Sequence, residues 1–165
     1  MNRHVYLIGM PGSGKSTVGR ALAKLLDVPF IDLDAEIEDA ARKTIPEIFR
    51  QDGEVAFREL ERSALLRASD AASAVVSCGG GAPLREDNQR LMRDTGTVVW
   101  LNVPLASLRR RIRDLLDTRP LVTDPLDLER IYQERDAVYR KVAHREVSAD
   151  GDPVAVAKAI LEVIA

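Results

Sequence analysis

The sequence predicts an α/β fold of three layers, with a five-stranded parallel sheet between two sets of helices. Three observations predict it. Short apolar runs alternate with stretches of helical periodicity along the whole chain, the pattern of successive β-α units. Most of those runs are apolar on both faces, as strands covered by helices on each side must be. The length of 165 residues suits one domain spanning 1–165, with 45% hydrophobic and 30% charged residues, so a full core can form without disulfides or metal.

The strands are expected at His4–Ile8, 29–32, 74–78, 97–103 and 146–148. The first helix, Lys15–Leu26, carries Val18, Leu22, Leu25 and Leu26 in phase. Thr44 with Glu47 three residues on is a capping box, opening a short helix that Gly53 is expected to end. A longer helix over 54–69 has Phe57, Leu60, Ala64 and Ala68 on one stripe. A helix is also expected near Pro83. Helix 104–116 follows with Leu105, Leu108, Ile112 and Leu115. Asp124 before Pro125 pairs an N-cap with a favoured first position for helix 124–143, and Asp152-Pro153 repeats the signal for the last helix. Residues 114–125 hold two Pro and three Asp and are expected to form a mobile loop.

Composition excludes several classes. Basic and acidic residues number 24 and 26, with a pI near 5.8. That balance, with 4% aromatics, lacks the basic excess and stacking platform of a nucleic-acid binder. No run approaches the ~20 apolar residues of a membrane span. The one cysteine, Cys78, excludes an internal disulfide and fits a reducing, cytoplasmic compartment. The two histidines lie far apart without cysteine partners, which argues against zinc. Five of the basic residues are Lys and 19 are Arg, the residue suited to bidentate binding of carboxylates and phosphates.

Gly9-Met-Pro-Gly12-Ser13-Gly14-Lys15-Ser16-Thr17 fits G-x-x-x-x-G-K-[ST], between an expected strand and an expected helix. The glycines let the backbone wrap an anion, and the N–H groups of the loop and of the helix start point at it. Lys15 is placed to reach the β- and γ-phosphates and the Ser16 hydroxyl to ligate Mg²⁺. Gly12 to Thr17 are therefore the candidate ATP-binding segment.

The third strand ends without an acid, whereas the second ends Asp32-Leu33-Asp34. In extended chain Asp32 and Asp34 would face the same way, one toward a magnesium water and the other toward an acceptor hydroxyl. The alternative is that Asp34 caps the next helix. Gly79, Gly80 and Gly81 close the third strand and permit close approach of a ligand to backbone N–H donors. Arg58 and Glu61 lie one helical turn apart, where the carboxylate can orient the guanidinium or simply form a surface ion pair. Arg119, before Pro120, belongs to a loop from which it could close over a transferring phosphoryl group.

The phosphate loop, Asp32-x-Asp34, Phe57-Arg58-x-x-Glu61, Gly79-Gly80-Gly81 and Arg119-Pro120-Leu121, in that order, resemble shikimate kinase over essentially the whole chain. The resemblance implies a P-loop fold of nucleoside-monophosphate-kinase type, with a substrate-binding region at about 33–61 and a lid at about 112–124. It implies transfer of the γ-phosphoryl of MgATP to the 3-hydroxyl of shikimate, within aromatic amino-acid biosynthesis, by a monomer with no nucleic-acid or membrane partner. By motif, Asp34 would contact the ring hydroxyls and serve as base. Arg58 and Arg135 would hold the carboxylate, with the backbone of 79–81 beside it. Ser16 would ligate Mg²⁺, with Asp32 and Ser77 acting through water. Lys15 and Arg119 would stabilise the phosphoryl charge, and Arg111 or its neighbour Arg110 would pack on adenine.

The chain departs from the family pattern at Val122 in the lid, at Ala137 two residues after Arg135, and in the 149–152 loop, which lacks a basic or amide residue. Two other readings compete: a gluconate- or nucleotide-type kinase of the same fold, and a nucleotide-dependent regulator without catalysis.

Overall fold

The computed structural model describes residues 4–112 and 125–165. Five strands form one parallel sheet: β1 (His4–Ile8), β2 (Phe30–Asp32), β3 (Ala74–Ser77), β4 (Gly96–Asn102) and β5 (Arg145–Ser148), in the spatial order β2-β3-β1-β4-β5. The described helices are α1 (Lys15–Leu26), α2 (Leu33–Ala41), α3 (Ile45–Gln51), α4 (Gly53–Asp70), α5 (Glu86–Thr95), α6 (Leu105–Ile112), α7 (Pro125–Val142) and α8 (Pro153–Ile164). The expected α/β architecture is therefore present. The lid region, apart from Ile112, and Arg119 within it lie outside the described residues.

The core explains the sheet. Tyr6, Leu7, Ile8, Val75, Val76, Val98 and Val99 are all fully buried, so β1, β3 and β4 are covered on both faces. β1 lies at the centre, and the chain leaves it toward β2 on one side and reaches β4 on the other. That reversal opens a crevice at the carboxyl ends of the strands, where ligands of such sheets bind.

Three local details differ from the sequence expectation. Gly53 does not follow α3; Asp52 ends that helix and Gly53, at φ +88°, is the joint from which α4 starts. A left-handed joint between two helices is a glycine position. Near Pro83 the chain makes only a 3₁₀ turn, Ala82–Leu84, and the α-helix waits until Glu86. The third difference is at Asp32. β2 ends there and α2 begins at once, with the Asp32 side chain accepting from the N–H groups of Asp34 and Ala35. The cap is Asp32, and Asp34 sits in the first turn of the helix. Both sequence readings of Asp34, as the cap and as the same-face partner of Asp32 in extended chain, are corrected by this. A carboxylate that satisfies two orphan N–H groups nucleates the helix two residues earlier than strand periodicity suggests.

Candidate active site

The phosphate loop connects β1 to α1 in the central crevice. Gly12 and Gly14 adopt φ +80° and +87°, and a Cβ at Gly9 would lie 2.8 Å from the Leu101 carbonyl oxygen, so the glycines answer backbone geometry and close approach. Lys15 is buried in the loop, its Nζ donating to the Gly9 and Met10 carbonyls at 2.8 Å each and to Ser13 Oγ at 3.3 Å. The Ser16 hydroxyl donates to Asp32 Oδ2 at 2.8 Å and lies 3.5 Å from Ser77 Oγ. The three residues expected around a metal therefore meet at one point, despite the altered backbone at Asp32. Their donors are hard oxygens beside a phosphate loop, which suits a small divalent cation that keeps most of its waters.

A cleft of about 530 Å³ runs from residues 12–17 past Asp34 and Ser77 to Arg111 and the 149–153 loop. Arg111 reaches back 99 residues to donate to the Gly12 carbonyl at 3.1 Å, and its other nitrogen meets Asp150 Oδ1 at 3.4 Å. Arg110 instead donates to Ser107 Oγ in its own helix. Of the two candidates for the adenine side, Arg111 is the one at the cleft.

The residues expected on the acceptor side converge on the glycine turn. An ideal Cβ at Gly79 would lie 2.8 Å from Glu61 Oε2 and 3.2 Å from Asp34 Oδ1. One at Gly80 would lie 2.8 Å from Arg135 Nη1 and 3.2 Å from Pro11 in the phosphate loop, and one at Gly81 would collide with the Arg58 guanidinium. Each glycine thus makes room for charged groups, Gly79 for two of them, and the turn abuts the phosphate loop. The turn is fixed from behind by α5, where Asn88 Nδ2 donates to the Ala82 carbonyl at 3.0 Å and Gln89 Nε2 to that of Pro83 at 2.7 Å.

Glu61 is only 1% exposed. Arg58 Nη1 donates to its Oε1 at 3.0 Å, and Arg58 Nη2 to Glu54 Oε1 at 3.3 Å. Glu61 Oε2 has no hydrogen-bond partner among the described residues. Burial pushes the Glu61 carboxyl up from its ordinary value, and the Arg58 charge pulls it back down. The pair is therefore far from the exposed ion pair that its spacing alone would suggest. Arg135, also buried, stands on α7 one turn before Tyr139, whose hydroxyl donates to the Gly80 carbonyl at 2.6 Å. Sequence reasoning passed over Tyr139; its position four residues after a candidate site arginine was the available signal. Cys78 is buried, and desolvation raises its thiol pKa so that it stays protonated and inert,.

Residues 11–165 match the family model described as shikimate kinase. The chain belongs to the shikimate kinase family. Curated shikimate kinases agree along nearly the whole chain. That of Ruegeria pomeroyi is 45% identical over 155 residues, 92% of this chain and 78% of that protein. That of Synechococcus sp. strain CC9902 is 44% identical over 165 residues, covering 98% and 86%. Among solved structures, the shikimate kinase from Acinetobacter baumannii in complex with shikimate superposes with a TM-score of 0.94 at 36% identity, covering 98% of this chain and 92% of that one. A gluconokinase from Sinorhizobium meliloti reaches a TM-score of 0.59 at 18% identity, a likeness of fold alone. Family membership makes the chain an ATP-using kinase, a reaction that requires a divalent metal. No helix among the described residues is long and apolar enough to cross a membrane.

Proposed function

We propose that the chain transfers the γ-phosphoryl group of MgATP to the 3-hydroxyl of shikimate, giving shikimate 3-phosphate and ADP. The observation that carries the reading is the convergence of Arg58, Arg135 and Asp34 on the glycine turn, against the phosphate loop. Two guanidinium groups suit a carboxylate, and a carboxylate across the turn suits a hydroxyl that must lose its proton.

In this reading Arg58 and Arg135 bind the shikimate carboxylate and fix the ring. Asp34 orients the hydroxyl and accepts its proton. Residues 12–17 bind the ATP phosphates. Lys15 exchanges the neutral carbonyls it now contacts for phosphate oxygens, and Lys15 with Arg119 from a lid at about 112–124 offsets the phosphoryl charge. Arg111 packs on adenine. Ser16, with Asp32 and Ser77 through water, would hold Mg²⁺, which would supply charge neutralisation to the phosphates. Residues 33–61 form the acceptor-binding region of one domain, acting as a monomer in the cytoplasm.

The test is ADP release measured with shikimate, gluconate and nucleoside monophosphates side by side, for the parent and Asp34→Asn. Release is expected with shikimate alone. The variant is expected to lose about 10²–10⁴-fold in turnover while still binding ATP. Turnover only with another acceptor overturns the substrate, and normal turnover in the variant removes Asp34 from proton transfer.

A further inference from the structure

The glycine turn raises a mechanical problem. Successive glycines populate many backbone conformations at similar energy, and ordering them is entropically expensive. A binding surface made of their N–H groups needs each peptide plane held. The three carbonyls are held, by three different donors. The Gly79 carbonyl accepts from Ala82 N at 3.1 Å and the Gly81 carbonyl from Leu84 N at 3.1 Å. Both bonds are local turns. The middle carbonyl, Gly80, is held from 59 residues away by the Tyr139 hydroxyl at 2.6 Å. The N–H groups of Gly79, Gly80 and Gly81 meet no protein acceptor among the described residues, although all three residues are buried.

We infer that Tyr139 is a positioning residue of the acceptor site: its hydroxyl locks the peptide plane between Gly80 and Gly81 and so fixes the direction of the Gly81 N–H. In a trans peptide the carbonyl and the following N–H point in opposite directions, and the described chain has no cis peptides. Fixing the Gly80 carbonyl on α7 therefore turns the Gly81 N–H away from α7. Arg58 closes a further flank of Gly81, since an ideal Cβ there would collide with its guanidinium. The ring of Tyr139 is anchored independently, 1% exposed and 6.1 Å from Trp100 between centroids. Burial raises the pKa of the hydroxyl to about 12, so it remains a donor at any working pH. Arg135 stands one turn earlier on the same helix face, so a single rigid element presents both the carboxylate-binding cation and the lock on the adjoining peptide.

This inference rests on the acceptor site proposed above, and the experiment separates the two. Tyr139→Phe keeps the ring and removes only the hydroxyl. The hydroxyl also meets the Arg135 guanidinium, and losing these buried contacts predicts a shikimate Kd and KM raised about tenfold, with the KM for ATP unchanged. In the unliganded protein the ¹⁵N–¹H resonance of Gly81 is expected to shift, because its peptide carbonyl has lost its donor. Arg58→Ala serves as the reference. If Arg58→Ala weakens shikimate binding and Tyr139→Phe does not, the lock is wrong and the site stands. If neither variant weakens it, the site itself is wrong. A lower melting temperature for Tyr139→Phe with unchanged shikimate affinity and an unmoved Gly81 resonance also overturns the lock, since a purely structural hydroxyl behaves that way.

Discussion

The two halves of the proposed site are built on different principles. The nucleotide half is local: residues 9–17 form one loop and the first turn of α1, its donors are largely backbone N–H groups, and Lys15 is satisfied by oxygens within six residues of itself. The acceptor half is convergent. Asp34 comes from α2, Arg58 and Glu61 from α4, the glycines from the turn after β3, and Arg135 and Tyr139 from α7. A local site depends on a few backbone angles, which glycines supply wherever they occur in the right spacing. A convergent site depends on the packing of four elements and on buried charges that must stay paired. The acceptor half should therefore be the more fragile of the two under small changes in volume.

Gly79→Ala tests that contrast most directly, with the largest expected effect. Its Cβ would lie 2.8 Å from Glu61 Oε2 and 3.2 Å from Asp34 Oδ1, and Glu61 is too enclosed to retreat. Displacing catalytic geometry by even ~1 Å is worth on the order of 10²-fold. The expected outcome is a drop of about a hundredfold in kcat/KM for shikimate with the KM for ATP near parental. Equal losses for both substrates would show that the halves are mechanically one unit.

The same division sorts what could be read in the sequence. The phosphate loop, the Thr44 capping box, the Asp152 cap and the five strands rest on contiguous residues, and the structure reproduces them. The Asp32–Asp34 segment shows the limit. Strand periodicity put the two carboxylates on one face, but a short-range competitor, the bond from Asp32 to the N–H groups of Asp34 and Ala35, turned the chain into α2. Both side chains still reach the site, because the turn lies at the sheet's carboxyl edge. The depth of the Arg58–Glu61 pair was not legible, since spacing says that two residues can meet and nothing about what covers them. The contact of Tyr139 was not legible for the same reason: spacing from Arg135 marks a shared helix face, but its partner lies 59 residues away.

On the nucleotide half the convergent parts are few and weak, and Asp150 is the example. It accepts from Arg111 at 3.4 Å and from Ser107 Oγ at 2.9 Å, with the Arg111 and Asp150 side chains 35% and 37% exposed. Such a half-exposed pair is worth at most about 1 kcal/mol. Asp150→Ala should raise the KM for ATP about two- to fivefold, less at high salt, and leave the KM for shikimate alone. In an Arg111→Ala background the second substitution should add nothing. A full additional loss there would show that Asp150 acts on the nucleotide without Arg111.

The smallest effect is expected away from both halves, at the edge of the sheet. His144 opens the pairing of β5 with β4: its backbone N–H donates to the Val98 carbonyl at 2.8 Å, and its ring Nδ1 accepts from the Val98 N–H at 3.0 Å. An accepting Nδ1 must be unprotonated. Burial, with the Arg93 and Arg145 charges beside it, holds the imidazole below its ordinary value of 6.5. The sign follows from linkage. The unfolded chain takes up the proton more readily, so the contribution of His144 is complete above about 6.5 and is lost as pH falls through the folded-state value. His144→Asn offers a neutral acceptor in nearly the same place and does not titrate. Urea unfolding should find parent and variant similar at pH 7.5. At pH 5 the parent should have lost stability relative to the variant. Parallel pH profiles for the two proteins would mean that the Val98 N–H finds another acceptor when the ring is charged. Because β5 lies outside the convergence at Gly79, Gly80 and Gly81, the shikimate KM should stay the same in both proteins at either pH where they remain folded.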